Sequence, residues 1–533
     1  MGGQNTTLRS TRICSWALGL VILASSLAYT PNADAAGDTL RIGIPSDIES
    51  MDPHLSGGLS MRVWSNVYET LLSRGPDGTL EPRLATSWDQ VDDTHIRFQL
   101  REGVAFTNGT PVNAQTVANV FNAKNDSASP HTHVSFSRWI KNVEPVDDHT
   151  IVLETDGPFP PTLFYLASTL PAAVWDVQAR EEWGDLRTRS AGSGPYIVDE
   201  IRPGEFVQLR RNPDYWGGAP ATEHLRFVVI PEESTRILAL RRGEIDLTLD
   251  LGPAALSQLE GADDVKVNTY RAFRLNTLEY NFQNPLIRDN VELRRAIMLA
   301  IDTKAIADNI IGVMGDPADS VVLDVSWGYT SVPGFLDYDP ERAAQILEQA
   351  GWALGADGVR ARDGERLDLV LVTDFTRDYR NREVAQAVQA FLREVGINVE
   401  LQLLERGPFI DTVVQRGEGY HLNIQGWGSP TNEASWWIYT RLHSDNQDLG
   451  AWGTSRTRMD RLDEMIDQAR FELDEGKSLP LWHALQRMIH EEALMIPLYF
   501  SNKIEAVRTD VDGFLSHSDE WYGYRYLRTT VAD

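Results

Sequence analysis

The chain has 533 residues, 42% of them hydrophobic, and a formal charge of −28 at pH 7. So acidic a surface repels phosphate backbones and anionic bilayers, which argues against nucleic-acid binding and electrostatic membrane attachment. The apolar content is that of a globular chain, and the length suits two to four domains.

Residues 1–35 read as a leader outside the fold. Arg9 and Arg12 make a cationic start, Trp16 to Ala28 a short apolar run, and Ala33-Asp34-Ala35 an A-x-A site with cleavage after Ala35. The run is shorter than the ~20 residues of a membrane-spanning helix. Cys14, the sole cysteine, precedes that run instead of following it, so lipid anchoring is not expected and the thiol leaves with the leader. A mature chain without thiols has no disulfides, thiolate metal ligands or Cys nucleophiles. Export to the periplasm is the expectation.

Strands dominate the first half. Thr39–Ile44 alternates at period two, as do His95–Leu100 and Thr150–Glu154. Asp92-Asp93 and Asp147-Asp148 precede the last two and predict hairpin turns. Phe206–Leu209 and Leu225–Ile230 continue the β-rich part. Helices take over from about residue 285. Val291–Gly312 carries Leu293, Ala296, Ile297, Ala300 and Ile301 on one face, interrupted where Asp302 caps a second helix. Asp339-Pro340-Glu341 opens another helix, which Gly351 ends. Leu367–Val372 reads as a strand, Glu383–Val395 as an amphipathic helix stopped by Gly396, and Ile397–Leu403 as the next strand. That alternation is α/β in character.

Enzyme signatures are missing from this pattern. There is no G-x-S-x-G, no Walker loop and no H-E-x-x-H, and His490-Glu491-Glu492 has no second histidine at 494. His131-Thr132-His133 could touch a metal, but two histidines in a polar loop are more often solvated, and neither metal nor cofactor is expected.

Several segments together resemble one family. They are Ser50-Met51-Asp52-Pro53-His54, Glu81-Pro82-Arg83-Leu84-Ala85-Thr86-Ser87-Trp88, and Phe98-Gln99-Leu100-Arg101-Glu102-Gly103-Val104-Ala105-Phe106. Gly192-Ser193-Gly194-Pro195-Tyr196, Arg211-Asn212-Pro213-Asp214-Tyr215-Trp216-Gly217-Gly218, Gly243-Glu244-Ile245-Asp246 and Tyr338-Asp339-Pro340-Glu341 follow in order. In these residues the chain resembles the extracytoplasmic solute-binding proteins of ABC importers, peptide/nickel class (family 5). The resemblance implies an α/β, two-lobed periplasmic-binding-protein fold with an extra domain inserted in the first lobe (type II, cluster C-like). It implies residues 38–71, 190–280 and 500–533 as the first lobe's main domain, 72–189 as the inserted domain and 281–499 as the second lobe. The chain would cross near Tyr280-Asn281 and return near Tyr499-Phe500. It further implies a monomer that closes over a small-molecule ligand, a peptide or a related amine- or carboxylate-bearing solute, and delivers it to a membrane permease. A periplasmic ligand sensor and a periplasmic hydrolase are the alternative readings.

Two clusters are candidate ligand contacts. Trp427, Trp436, Trp437 and Trp452 place four of the chain's 15 Trp between Gly426 and Gly453. Aromatic faces among a few polar groups suit a small-molecule pocket, and they equally suit a lobe's core. Peptide-binding relatives carry an Asp in the loop after Gly-Trp, for the ligand's ammonium. Here the loop offers Asn432 and Glu433 instead, so Glu433 either meets an amine or is solvated. The second cluster is Asp374–Arg382, between a strand end and a helix start, where Arg377 or Arg380 could grip a carboxylate or phosphate and Tyr379 lies between them. Glu49 and Ser50, on the first lobe, face the cleft by family analogy.

Overall fold

The computed structural model describes residues 38–53, 59–75, 79–124, 139–168, 172–448, 453–518 and 526–531. The expected leader, His54, His131-Thr132-His133 and Trp452 lie outside the described residues. Strands of the first half are β1 (Thr39–Ile44), β2 (Ala85–Gln90), β3 (His95–Leu100), β4 (Ile140–Asp147), β5 (Thr150–Thr155), β6 (Tyr196–Arg202), β7 (Phe206–Arg211), β8 (His224–Val229) and β9 (Leu247–Leu251). The long β10 (Val265–Tyr280) follows, then β11 (Asp368–Asp374), β12 (Asn398–Leu404), β13 (Leu422–Gly428) and the long β14 (Met495–Arg508). Both hairpins expected at the Asp-Asp turns are present, as β2–β3 and β4–β5. They join in a separate four-stranded sheet ordered β2-β3-β5-β4.

The main sheet runs β12-β11-β13-β10-β14-β9-β1-β8-β7-β6. Its middle explains the architecture. β10 and β14 pair along almost their whole length, from Val265 with Arg508 to Glu279 with Met495. One end of the pair takes β9 onto β14, and the other takes β13 onto β10. Each end carries its own core. One cluster runs from Leu40 to Leu249 with Val507 and Tyr526, the other from Leu275 to Phe500. This is the expected two-lobed α/β fold, and the chain passes between lobes inside β10 and β14.

The longer helices of the second lobe are α1 (Val291–Ala300), α2 (Pro340–Gln349), α3 (Asn381–Glu394), α4 (Ala434–Leu442), α5 (Asp460–Phe471) and α6 (Glu475–Glu491). Asp302 ends the α1 run as expected, its Oδ1 accepting from the Ala305 amide at 2.7 Å. The helix it starts changes after Ile306 into a wider turn over Ala307–Ile311. Asp339 caps α2 through the Arg342 amide, with Pro340 in the first turn. α3 begins two residues earlier than its apolar spacing suggests, because the Asn381 side chain ties back to the Asp374 carbonyl.

The family-like motifs of the first lobe meet at one buried carboxylate. Glu69 is fully buried and accepts from Ser193 Oγ (2.9 Å), Tyr215 OH (2.9 Å) and Trp216 Nε1. The glycines flanking Ser193 are a steric necessity. A Cβ on Gly192 would sit 2.1 Å from the Val67 carbonyl oxygen, and one on Gly194 2.6 Å from it. Gly192→Ala is therefore expected to cost about 1–3 kcal/mol of stability through overpacking, seen as a lower melting temperature.

Burial raises the Glu69 carboxyl to about 7, and its three donors pull back only part of that shift. A folded pKa above the unfolded value means the native state holds the extra proton, so stability falls as pH rises from about 4.5 to 7. Urea unfolding at pH 4.5, 6 and 8 should show wild type losing roughly 3 kcal/mol relative to Glu69→Gln across that window, and no further change above it.

Candidate functional site

Irregular backbone gathers where β10 and β14 leave one lobe for the other. The β10–β14 register shifts between Arg271 and Leu275, and the β9–β14 register between Thr248 and Leu251. Asp250, inside the second break, has φ of 54°. Left-handed backbone is rare outside glycine, and here two cations hold it in place. Arg62 pairs with Asp250, and Lys503 Nζ donates to its Oδ1 at 3.0 Å. Burial opposes ionisation of Asp250, but the two cations outweigh it and hold the carboxyl well below the usual range. On the second-lobe side Arg271 donates to the Phe500 carbonyl (3.1 Å) and to Asp324 Oδ2 (3.0 Å), and pairs with Asp316 (2.9 Å).

The C-terminal end of β13 carries the aromatic cluster. Trp427 is half-buried, its Nε1 donating to Glu279 Oε1 at 3.2 Å, with the Arg441 guanidinium 4.2 Å from its ring centre. Arg441 forms a buried ion pair with Glu279, and Gln425 Nε2 donates to the other Glu279 oxygen at 3.2 Å. Trp437 is core: it is buried and donates to Ser326 Oγ. Trp436 donates to the Gly428 carbonyl (3.1 Å) and packs against the cores of both lobes.

Asn432 and Glu433 are committed to the loop itself. Asn432 has φ of 50°; its amide N–H donates to Ser429 Oγ, its Nδ2 donates to the Val325 carbonyl, and its Oδ1 accepts from Ser326. Glu433 is neither solvated nor unpaired. It is 1% exposed and caps α4, accepting from the Trp436 amide (2.8 Å), the Ser435 amide (2.6 Å) and Thr431 Oγ1 (3.1 Å). Burial raises its carboxyl to about 7 despite these donors. Arg74, from the first lobe, reaches across to the same loop and donates to the carbonyls of Pro430 (2.7 Å) and Thr431.

At the end of β11, Asp378 is buried and takes the charge of Arg274, whose Nε donates to its Oδ1 at 2.6 Å. Arg380 has φ of 54°, donates to the Ile310 carbonyl and lies over the Tyr379 ring, 5.2 Å from its centre. Arg377 is different. It is exposed and makes no hydrogen bond or ion pair with a described residue. Partial desolvation and repulsion from Arg274 and Arg406 outweigh the attraction of Asp378 and Asp374 and bring its pKa down to about 10. At pH 7 it remains a cation, with no hydrogen-bonded acceptor among the described residues.

A cavity of about 790 Å³ opens between the lobes. Arg74, Leu80, Ile96 and Phe164 line it from the first lobe, and Asp324, Trp327, Glu433 and Arg470 from the second. Of the residues singled out in the sequence, Asn432 and Glu433 are on its wall, whereas Trp427, Trp436, Arg377, Tyr379, Arg380, Glu49 and Ser50 are not. Glu49 is exposed and Ser50 buried, its Oγ accepting from the Asp52 amide. Arg74, Phe164, Trp327 and Arg470 are absent from the sequence reading because no local spacing marks them. They meet only where the two lobes come together in the fold.

The family model of bacterial extracellular solute-binding proteins, family 5 Middle, matches residues 79–448. The nickel-binding periplasmic protein of Escherichia coli (strain K12) is 26% identical over 479 residues, covering 87% of this chain and 90% of its own. Di/tripeptide-binding protein 2 of Pseudomonas aeruginosa (strain UCBPP-PA14) is 26% identical over 534 residues, 93% and 96% of the two chains. Among solved structures, the ABC transporter-associated periplasmic binding protein DppA of Helicobacter pylori, in complex with the peptide STSA, superposes with a TM-score of 0.76. It is 25% identical and covers 93% of this chain and 99% of that one. The chain thus belongs to the family 5 bacterial extracellular solute-binding proteins, whose two lobes hold a solute rather than transform it.

Proposed function

We propose that this protein captures a small peptide-like solute bearing a carboxylate, closes its lobes over it, and delivers it to the membrane permease of an ABC importer. The observation that carries the reading is Arg377, an exposed cation just past a strand's C-terminal end with no hydrogen bond or ion pair to a described residue, beside a second arginine already paired with Asp378. A guanidinium in that setting favours a planar, bidentate anion such as a carboxylate. Relatives named for di- and tripeptides and for glutathione take ligands with free carboxylates, which agrees with this anion. Trp427, held by Glu279 and Arg441, supplies an aromatic face next to the same strand ends, and Tyr379 a second one. The breaks in register at Arg271–Leu275 and Thr248–Leu251 are natural places for the hinge.

The same reading takes residues 1–35 as a leader removed on export, the mature chain as a monomer in the periplasm, and 72–189 as the domain inserted in the first lobe. Arg377→Ala should leave the melting temperature of the empty protein unchanged, since no partner is lost. It should weaken binding of a di- or tripeptide or glutathione about tenfold to a hundredfold by calorimetry, the range for a charge-assisted hydrogen-bonded pair. Trp427→Ala should weaken it too. Affinity unaltered in both variants, or turnover of the bound solute, overturns the proposal.

A further inference from the structure

The inter-lobe cavity has the opposite charge preference from Arg377. Its ionisable wall consists of Arg74, Arg470, Asp324, Glu433, Glu472 and Glu475. Both cations are engaged. Arg74 donates to the Pro430 and Thr431 carbonyls, and Arg470 lies 3.7 Å from the ring centre of Tyr439 and 5.0 Å from that of Phe159. Glu433 is saturated by the amides of α4. The other three carboxylates each keep an oxygen that accepts nothing from a described residue. Asp324 gives only Oδ2 to Arg271, Glu472 only Oε1 to the Asp474 amide, and Glu475 only Oε1 to Trp327 Nε1. The Arg271 charge is shared with Asp316, so it neutralises Asp324 only in part.

Most of the uncharged wall is apolar, with Thr79, Gln90, Ser326, Asn432 and Ser478 the polar exceptions. Phe164 and Trp327 face each other across the lobes with ring centres 6.1 Å apart, next to Leu80, Ile96 and Pro161. At the mouth, Val325 and Leu473 leave 43% and 38% of their surface exposed, among the most exposed large hydrophobic residues described. An apolar mouth backed by carboxylates with a free acceptor oxygen suits a carbon body that ends in a positive charge. The rings add attraction for a cation, and a desolvated cation needs an anion beside it.

We infer that the cavity receives an amine-bearing apolar part of the solute, an alkyl- or arylalkyl-ammonium or a guanidinium. Its charge is met by Asp324, Glu472 and Glu475, and its carbon body lies along Leu80, Phe164 and Trp327. The inference rests on the capture reading above and adds to it the chemical class of the other end of the solute. Both lobes build the walls, so an occupant touches both and favours the closed state. The volume lies within the range of small-molecule sites.

The test uses three fragments of one shape, phenethylamine, 2-phenylethanol and phenylacetate, titrated into the full protein by ligand-detected NMR and thermal shift. The variant is the double substitution Glu472→Gln with Glu475→Gln, which keeps the acceptor each residue offers to the Asp474 amide and the Trp327 indole. Phenethylamine should bind at least tenfold more tightly than the other two, and the double variant should lose most of that preference while melting as wild type does. Equal binding of all three fragments, or an amine preference unchanged in the double variant, overturns the assignment. Capture of peptide-like solutes through Arg377 is measured separately with whole solutes, so its failure and that of the cavity assignment are told apart.

Discussion

Everything in this molecule hangs on one antiparallel pair. β10 and β14 are the strands that belong to both lobes, and their ladder runs from Val265–Arg508 at one end to Glu279–Met495 at the other. A continuous sheet would make the two lobes one rigid body. The breaks at Arg271–Leu275 and Thr248–Leu251 remove ladder hydrogen bonds at successive levels of β14, opposite Phe500–Asn502 and Ile504–Ala506. Polar side chains take over there: Asp250 between Arg62 and Lys503 on one side, Arg271 between Asp316 and Asp324 on the other. Ion pairs tolerate small rotations better than a β-ladder does, because their energy varies slowly with geometry. The charges at the junction are therefore consistent with a hinge that bends without unzipping.

Buried carboxylates serve as architecture in both lobes. Glu69 gathers Ser193, Tyr215 and Trp216 in the first. Glu279 gathers Arg441, Gln425 and Trp427 in the second, and Glu433 closes the first turn of α4. Each replaces several water contacts by fixed donors, which makes its neighbours' positions unique, and burial raises the carboxyls of Glu69 and Glu433. Removing one partner would strand a charge, so these networks specify a single arrangement of the loops they join. The consequence reaches the ligand. Glu433 occupies the loop where a peptide's amine is met in relatives, yet its oxygens are already taken.

The repeating elements were legible and the cross-lobe contacts were not. Period-two alternation marked β1, β3 and β5, and the Asp-Asp turns marked their hairpins, because local chemistry decides those features. Asp302 and Asp339 announced their helices by the same local logic. The helices between residues 434 and 491 went unread although Glu433 and Asp474 cap two of them, and α6 even contains Pro480. Of the proposed ligand contacts, Trp427 stood out from the Trp-rich composition of its segment, and Arg377, with Arg380, from its place between a strand end and a helix start. The role of Glu433 did not, because a cap and a ligand contact use the same residue type in the same loop. Arg74 is 357 residues from the carbonyl it grips, so only the fold brings them together.

Four kinds of contact join the lobes directly among the described residues. Arg74 gives hydrogen bonds to backbone carbonyls, Arg470 lies over Phe159, Phe164 meets Trp327, and Trp436 packs on both cores. Contacts of these kinds contribute roughly 0.5–2 kcal/mol each, and ordering the side chains that make them offsets part of that. Such a margin keeps the closed arrangement accessible without locking it. In the proposed reading, a solute that meets Arg377 and lies in the cavity adds interactions that exist only when the lobes are together, and differential affinity of that sort is what shifts a two-state equilibrium. On that proposal, selectivity and closing share one cause, because the Arg377 charge and the apolar wall are met by the same event.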